Sequence, residues 1–131
     1  HLAETPWGVL GLTICYDVRF PLLYRKLAQA GAEMVSVPSA FTCSTGAAHW
    51  HVLLRARAIE TGCYVVAPAQ CGTHYGKRAT YGHSLIVNPW GKVLADGGDE
   101  PGVVMADLDL TDVSSARASL LSLDDDRSFV M

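Results

Sequence analysis

The chain has 131 residues, half of them hydrophobic and 18% charged, and a formal net charge of −3. That length suits one domain, and that apolar content builds a sizeable core, which excludes a disordered segment. The mild acidity excludes a basic nucleic-acid stripe and a cationic membrane-surface face, and no apolar run has the length of a transmembrane helix.

The first residues, HLAETPWGVLG, read as neither a signal nor a transit peptide. They lack a starting Met and enter a turn and a strand at once, as a chain does when a segment is missing in front of it. Four cysteines, Cys15, Cys43, Cys63 and Cys71, form no CxxC unit, so a zinc ribbon or thioredoxin-type site is not expected. Reduced thiols in a cytoplasmic compartment fit this cysteine usage.

Val9 to Cys15 is apolar and β-branched and reads as a buried strand. Phe20-Pro21 opens a helix with Leu22, Leu23, Leu27 and Ala30 on its apolar face, and Gly31 stops it. Glu33 to Pro38 is a second strand, so the opening pattern is strand, helix, parallel strand. After the hydroxyl-rich loop Ser39 to Gly46, a long helix is predicted over Ala47 to Thr61, ended by Gly62. Cys63 to Pro68 is a third strand, and Gln70 to Tyr81 reads as a polar loop. A hairpin follows around Asn88-Pro89-Trp90-Gly91, then a strand over Val103 to Leu108 and a helix over Leu110 to Leu120. The polar tail from Ser122 to Met131 is expected to lie over the surface or a neighbouring subunit. The fold class is therefore α/β, with the loops after Cys15, Ser39 and Gln70 meeting at the carboxyl ends of the strands, where open parallel sheets bind ligands.

Two readings of Cys15 stand side by side. A cysteine ending an apolar run is commonly a buried core thiol. At a strand–helix junction it can instead be displayed as a nucleophile, with the following backbone N–H facing an oxyanion. His83 is the best candidate partner base, which would make a self-contained Cys15–His83 pair of the papain type. His49 and His51 are two apart on a helix and make a poor metal pair, and His74 reads as solvated. Asp17 and Arg19 are expected to form a salt bridge that holds the loop after the strand, and Arg57 and Glu60 to belong to a structural charge network. Thr42, Thr45 and the 70–78 loop are placed at the acyl pocket because they follow strands. No phosphate-binding glycine loop, metal cage or acid pair is present in these residues.

Three blocks then carry a resemblance: GLTICYDVRFPLLYRKLAQAGAE, PSAFTCSTGAAHWHVLLRARAIETGCYVVAPAQCG and YGHSLIVNPWGKVLAD. Together they resemble the C-terminal half of a nitrilase-superfamily carbon–nitrogen hydrolase, nearest its deaminated-glutathione amidase branch and then the ω-amidases. The resemblance implies part of a four-layer α-β-β-α sandwich, with residues 1–131 supplying the C-terminal portion of one domain. It implies a Glu-Lys-Cys triad with Cys15 as nucleophile, the Tyr16 N–H as oxyanion donor, a thioester intermediate, and no metal or organic cofactor. The family's Glu and Lys precede the nucleophile strand, so the chain alone is expected to be inactive, or to be a truncated domain acting only in subunit association. Neither Glu60 nor Lys26 substitutes for them, each falling at a scaffold position. Also implied are a small-molecule amide substrate and a homodimer or larger homo-oligomer paired through the two helices after Cys15. Thr61-Gly62 departs from the family's usual Asn and polar residue, which should loosen that helix end. The ending LSLDDDRSFVM replaces a more basic tail.

Overall fold

The computed structural model describes residues 1–125 and 127. The first five strands in chain order are β1 (Leu2–Thr5), β2 (Gly8–Leu12), β3 (Met34–Ser36), β4 (Tyr64–Ala67) and β5 (Cys71–His74). β6 (Arg78–Tyr81), β7 (Leu85–Val87) and β8 (Val93–Asp96) complete the set. Six of them form one sheet in the order β1-β2-β3-β4-β7-β8, with β2, β3 and β4 parallel and the outer pairs antiparallel. The helices are α1 (Pro21–Gln29), the single turn α2 (Cys43–Thr45), α3 (His51–Thr61) and α4 (Thr111–Ser119).

The register explains where the core sits. Gly11, Val35, Val65 and Val87 are direct partners across β2, β3, β4 and β7, so they share one face. Against that face pack Leu27 and Ala28 of α1 and Leu54 and Ala58 of α3, all buried. Gly11 allows the approach: a β-carbon there would lie 3.0 Å from Val35 and 3.3 Å from Leu27. The opposite face carries Leu10, Met34 and Val66, half-buried, and Leu12, exposed. At the amino ends of the parallel strands, Arg117 of α4 donates to the carbonyls of Ala32 (2.6 Å) and Thr61 (3.1 Å). The carboxyl ends are left open. Among the described residues no helix is long and apolar enough to cross a membrane.

Chain-order expectations and structure differ at four places. The first strand stops at Leu12, because Cys15 to Arg19 winds into a 3₁₀ turn. The long helix begins with a π-helical turn, Gly46–Trp50, before α3. What read as a polar loop over Gln70 to Tyr81 is the antiparallel hairpin β5–β6, turning where Tyr75 and Gly76 both adopt positive φ (46° and 82°). Its polar residues hid the strand alternation, while a left-handed pair supplies the twist that tight hairpins need. Val103 to Leu108 is no strand: it keeps an alternation of exposed and half-buried residues but has no ladder partner among the described residues.

The end of α3 is not loosened. Gly62, the cap that follows α3, takes a left-handed φ of 60°, and the Thr61 hydroxyl donates to the Arg57 carbonyl at 2.7 Å. For the tail, Arg25 donates to the carbonyls of Ser122 (2.6 Å) and Leu123 (3.2 Å), and residues 126 and 128–131 lie outside the described residues.

Candidate functional site

Cys15 follows β2 with a φ of +46°, a left-handed conformation that costs a non-glycine residue of order 1–3 kcal/mol. Hydrogen bonds on both sides hold it there. Its own N–H donates to the Pro38 carbonyl at 2.9 Å, and Thr13 N–H to the Ser36 carbonyl at 3.2 Å. The Ile14 N–H donates to the Asp17 carboxylate at 2.9 Å, and the Asp17 N–H returns to the Ile14 carbonyl at 2.9 Å. This reciprocal pair closes the 3₁₀ turn directly behind the thiol. The Tyr16 N–H, second in that turn, has no acceptor one turn back, as is general for the first amides of a helix.

The thiol is half-buried and lines an open cleft of 570 Å³. Ile14 and Cys15 enter it from the end of β2, Pro38 to Ala40 from the end of β3, Pro68 to Gln70 from the end of β4, with Ser84 and Gly102 completing the wall. The three loops after parallel strands thus meet at one place, and Cys15 is the titratable side chain in the lining. Ser84 was missed from the sequence. It directly precedes β7, which runs antiparallel beside β4, so its position at the carboxyl end of β4 follows from pairing between distant segments. Its hydroxyl accepts from the Ala69 N–H at 2.9 Å and so shapes the wall.

Asp17 and Arg19 do not form an ion pair among the described residues. Asp17 is engaged by the Ile14 amide, whereas the Arg19 guanidinium lies over the rings of Tyr16 (5.4 Å) and Phe41 (5.2 Å) and contacts His49 Nδ1 at 3.3 Å. Sequence proximity is no guide here, because a 3₁₀ turn points residues two apart in different directions. Arg57 is buried on α3; its Nε donates to the Val18 carbonyl at 2.8 Å and its Nη1 to Glu60 at 2.7 Å. The turn that carries Cys15 is therefore tied to α3 from below.

Thr42 and Thr45 do not line the Cys15 cleft. Thr42 is the N-cap of α2, and its hydroxyl lies 2.8 Å from that of Thr45 and 3.4 Å from the Thr45 N–H. His74, Lys77 and Arg78 line an adjacent cleft of 680 Å³ that shares Ala40 and Gln70 with the first. His74 Nε2 is 2.8 Å from the Thr80 hydroxyl rather than simply solvated. His83 is not brought to Cys15: it does not line the cleft, and its Nδ1 lies 2.9 Å from Asp96. Cys63 is fully buried; burial pushes its thiol up, and its interactions with Thr61 and Arg117 only partly offset this.

Residues 1–118 match the family model described as carbon–nitrogen hydrolase. The chain is 59% identical to human deaminated glutathione amidase over 117 residues, which is 89% of this chain and 36% of that protein. Its fold superposes on the Caenorhabditis elegans NitFhit protein with a TM-score of 0.88 at 47% identity, covering 95% of this chain and 32% of that one. A variant of the amidase from Nesterenkonia sp. AN1, in which the acetamide moiety of fluoroacetamide is covalently added at the active-site cysteine, gives a TM-score of 0.75 at 35% identity. There the match covers 92% of this chain and 46% of the amidase. The chain thus spans 32% to 46% of the length of these proteins.

Proposed function

The chain belongs to the carbon–nitrogen hydrolase family, and from that premise we propose that Cys15 is the nucleophile of an amidase acting on linear amides, of the deaminated-glutathione or ω-amidase type. The observation that carries this reading is the placement of Cys15: left-handed backbone, pinned amide, and a thiol on an open cleft at the ends of three parallel strands. The covalent adduct on the active-site cysteine of the Nesterenkonia amidase supports it.

In this reading the thiolate attacks the amide carbon and the carbonyl electron pair moves to oxygen. The Tyr16 N–H, which has no acceptor among the described residues, donates to that oxyanion. The C–N bond then breaks, the nitrogen takes up the proton lost by the thiol, and ammonia leaves a thioester. Water attacks the thioester, freeing the carboxylate and restoring the thiol. Proton transfer needs a base, and among the described residues the cleft lining holds no Asp, Glu, His or Lys. The resemblance implies a Glu and a Lys that precede the nucleophile strand, so in this reading the chain by itself is inactive. A small-molecule amide, a homo-oligomeric state and a cytoplasmic setting complete the proposal. That base-free lining also favours the second reading, a domain that associates with other subunits without hydrolysing anything.

Ammonia release from α-keto amides and from simple nitriles, followed in the full-length protein, tests both readings. The amidase reading expects release from the amides and its loss in Cys15→Ser and Cys15→Ala. It also expects iodoacetamide to modify Cys15 well before the buried Cys63. Full activity in Cys15→Ser, or equal alkylation of the two thiols, overturns it.

A further inference from the structure

Outside the cleft, three side chains from separate elements converge: His51 at the start of α3, His83 before β7 and Asp96 at the end of β8. His51 Nε2 lies 3.0 Å from Asp96 Oδ2, and His83 Nδ1 lies 2.9 Å from Oδ1. All three donor atoms fall within 4.8 Å of one another. Ligands at about 2.0–2.1 Å from a tetrahedral zinc ion stand roughly 3.3 Å apart, so small side-chain shifts convert these contacts into a coordination edge.

The backbone beneath them is held in place. His83 has a left-handed φ of 57°, a strained conformation for an imidazole-bearing residue. Its carbonyl accepts from the buried Trp50 indole at 2.7 Å, its N–H donates to the Gly98 carbonyl, and its ring stacks on Tyr81 with centroids 4.4 Å apart. Asp96 Oδ1 accepts the Gly98 N–H at 2.9 Å, which orients the carboxylate and leaves Oδ2 toward His51. Burial alone would raise the Asp96 carboxyl, but the Gly98 amide and the two imidazoles outweigh it, so the group is held ionised below its usual range. Side-chain exposures of 33%, 27% and 35% leave a face open for water.

We propose that His51, His83 and Asp96 form a zinc-binding site, with His51 Nε2, His83 Nδ1 and an Asp96 oxygen as protein ligands and water as the fourth. Two neutral imidazoles and a carboxylate suit a borderline divalent cation better than calcium or magnesium, which favour all-oxygen shells. The ion would tie the start of α3 to the β7–β8 hairpin, apart from the Cys15 cleft.

The test is zinc titration of the metal-free full chain, followed by ¹H–¹⁵N spectra of the imidazole rings. This readout does not depend on amide hydrolysis, and zinc held by the exposed Cys43 or by Cys15 leaves both rings unmoved. One equivalent of zinc is expected to shift the ring signals of His51 and His83 together. Competition with a chelator should show zinc affinity falling at least tenfold in both Asp96→Asn and His51→Gln, since loss of even an outer-shell partner costs about 10–100-fold. Unmoved imidazole signals in the unaltered chain overturn the site whatever the variants do. So does an affinity change below tenfold in variants whose circular dichroism matches the parent.

Discussion

Tyr24 shows how one buried hydroxyl links the helix after Cys15 to the pH response of the fold. Its ring is fully buried, its hydroxyl lies 2.7 Å from that of Thr13, and the Arg57 guanidinium sits 5.7 Å from the ring centroid. Burial raises its pKa from 10.0 to about 12, against the opposing pull of the Thr13 hydrogen bond. A folded value above the unfolded one means that the contribution is complete below pH 10 and is lost as pH climbs toward 12. Urea unfolding followed from about pH 9 to about pH 11.5 should therefore lose roughly 2 kcal/mol through this group. Tyr64, likewise raised to about 12 by burial, adds a comparable slope, so Tyr24→Phe should remove about half of the total; an unchanged slope in the variant would show that other groups carry it. Cys15 belongs to the same scale. Strand-end position was readable from the sequence, whereas the left-handed φ and the Pro38 carbonyl that pins it depend on β2 and β3 lying side by side.

Among the elements, the π-helical turn before α3 is the one least visible in the sequence. Ala47 to Thr61 is a run of good helix formers, and nothing in it signals a wider turn. The cause is tertiary. Gly46 is buried with the Tyr81 ring of β6 packed where its β-carbon would be, so the chain must pass close to the hairpin before α3 can begin. Gly46→Ala should cost about 1–3 kcal/mol through overpacking, read as a lower urea midpoint, and Tyr81→Ala in the same chain should recover part of that loss. No cost for the single substitution would mean that the hairpin moves aside freely. The β5–β6 hairpin itself escaped the reading of Gln70 to Tyr81 as loop, because short exposed strands carry no hydrophobic alternation to detect. By contrast α1 ran as expected from Pro21, where a proline needs no hydrogen-bond partner, and β3 and β4 fell within the predicted apolar runs.

At the scale of the whole molecule, one row of small and branched residues from Gly11 to Val87 joins four strands to two helices, and Leu54 fills the layer between. Leu54→Ala should lower stability by about 2–5 kcal/mol with an unchanged denaturant slope, as expected when a single cooperative core loses volume. A reduced slope would indicate that the helices and the sheet unfold separately. The sequence by itself determined the α/β class, the order of strand, helix and parallel strand, and the convergence of the loops after Cys15, Ser39 and Gln70. Those features follow from local periodicity and from the geometry of parallel crossovers, both of which are written within a few neighbouring residues. Only the tertiary structure decided that Thr42 caps the helical turn that holds Thr45 and neither lines the cleft, that Ser84 completes its wall, and that His83 faces Asp96 rather than Cys15. Each of these depends on which segments pair across the sheet. That choice is made by burying the apolar row as a whole, so no single stretch of sequence records it.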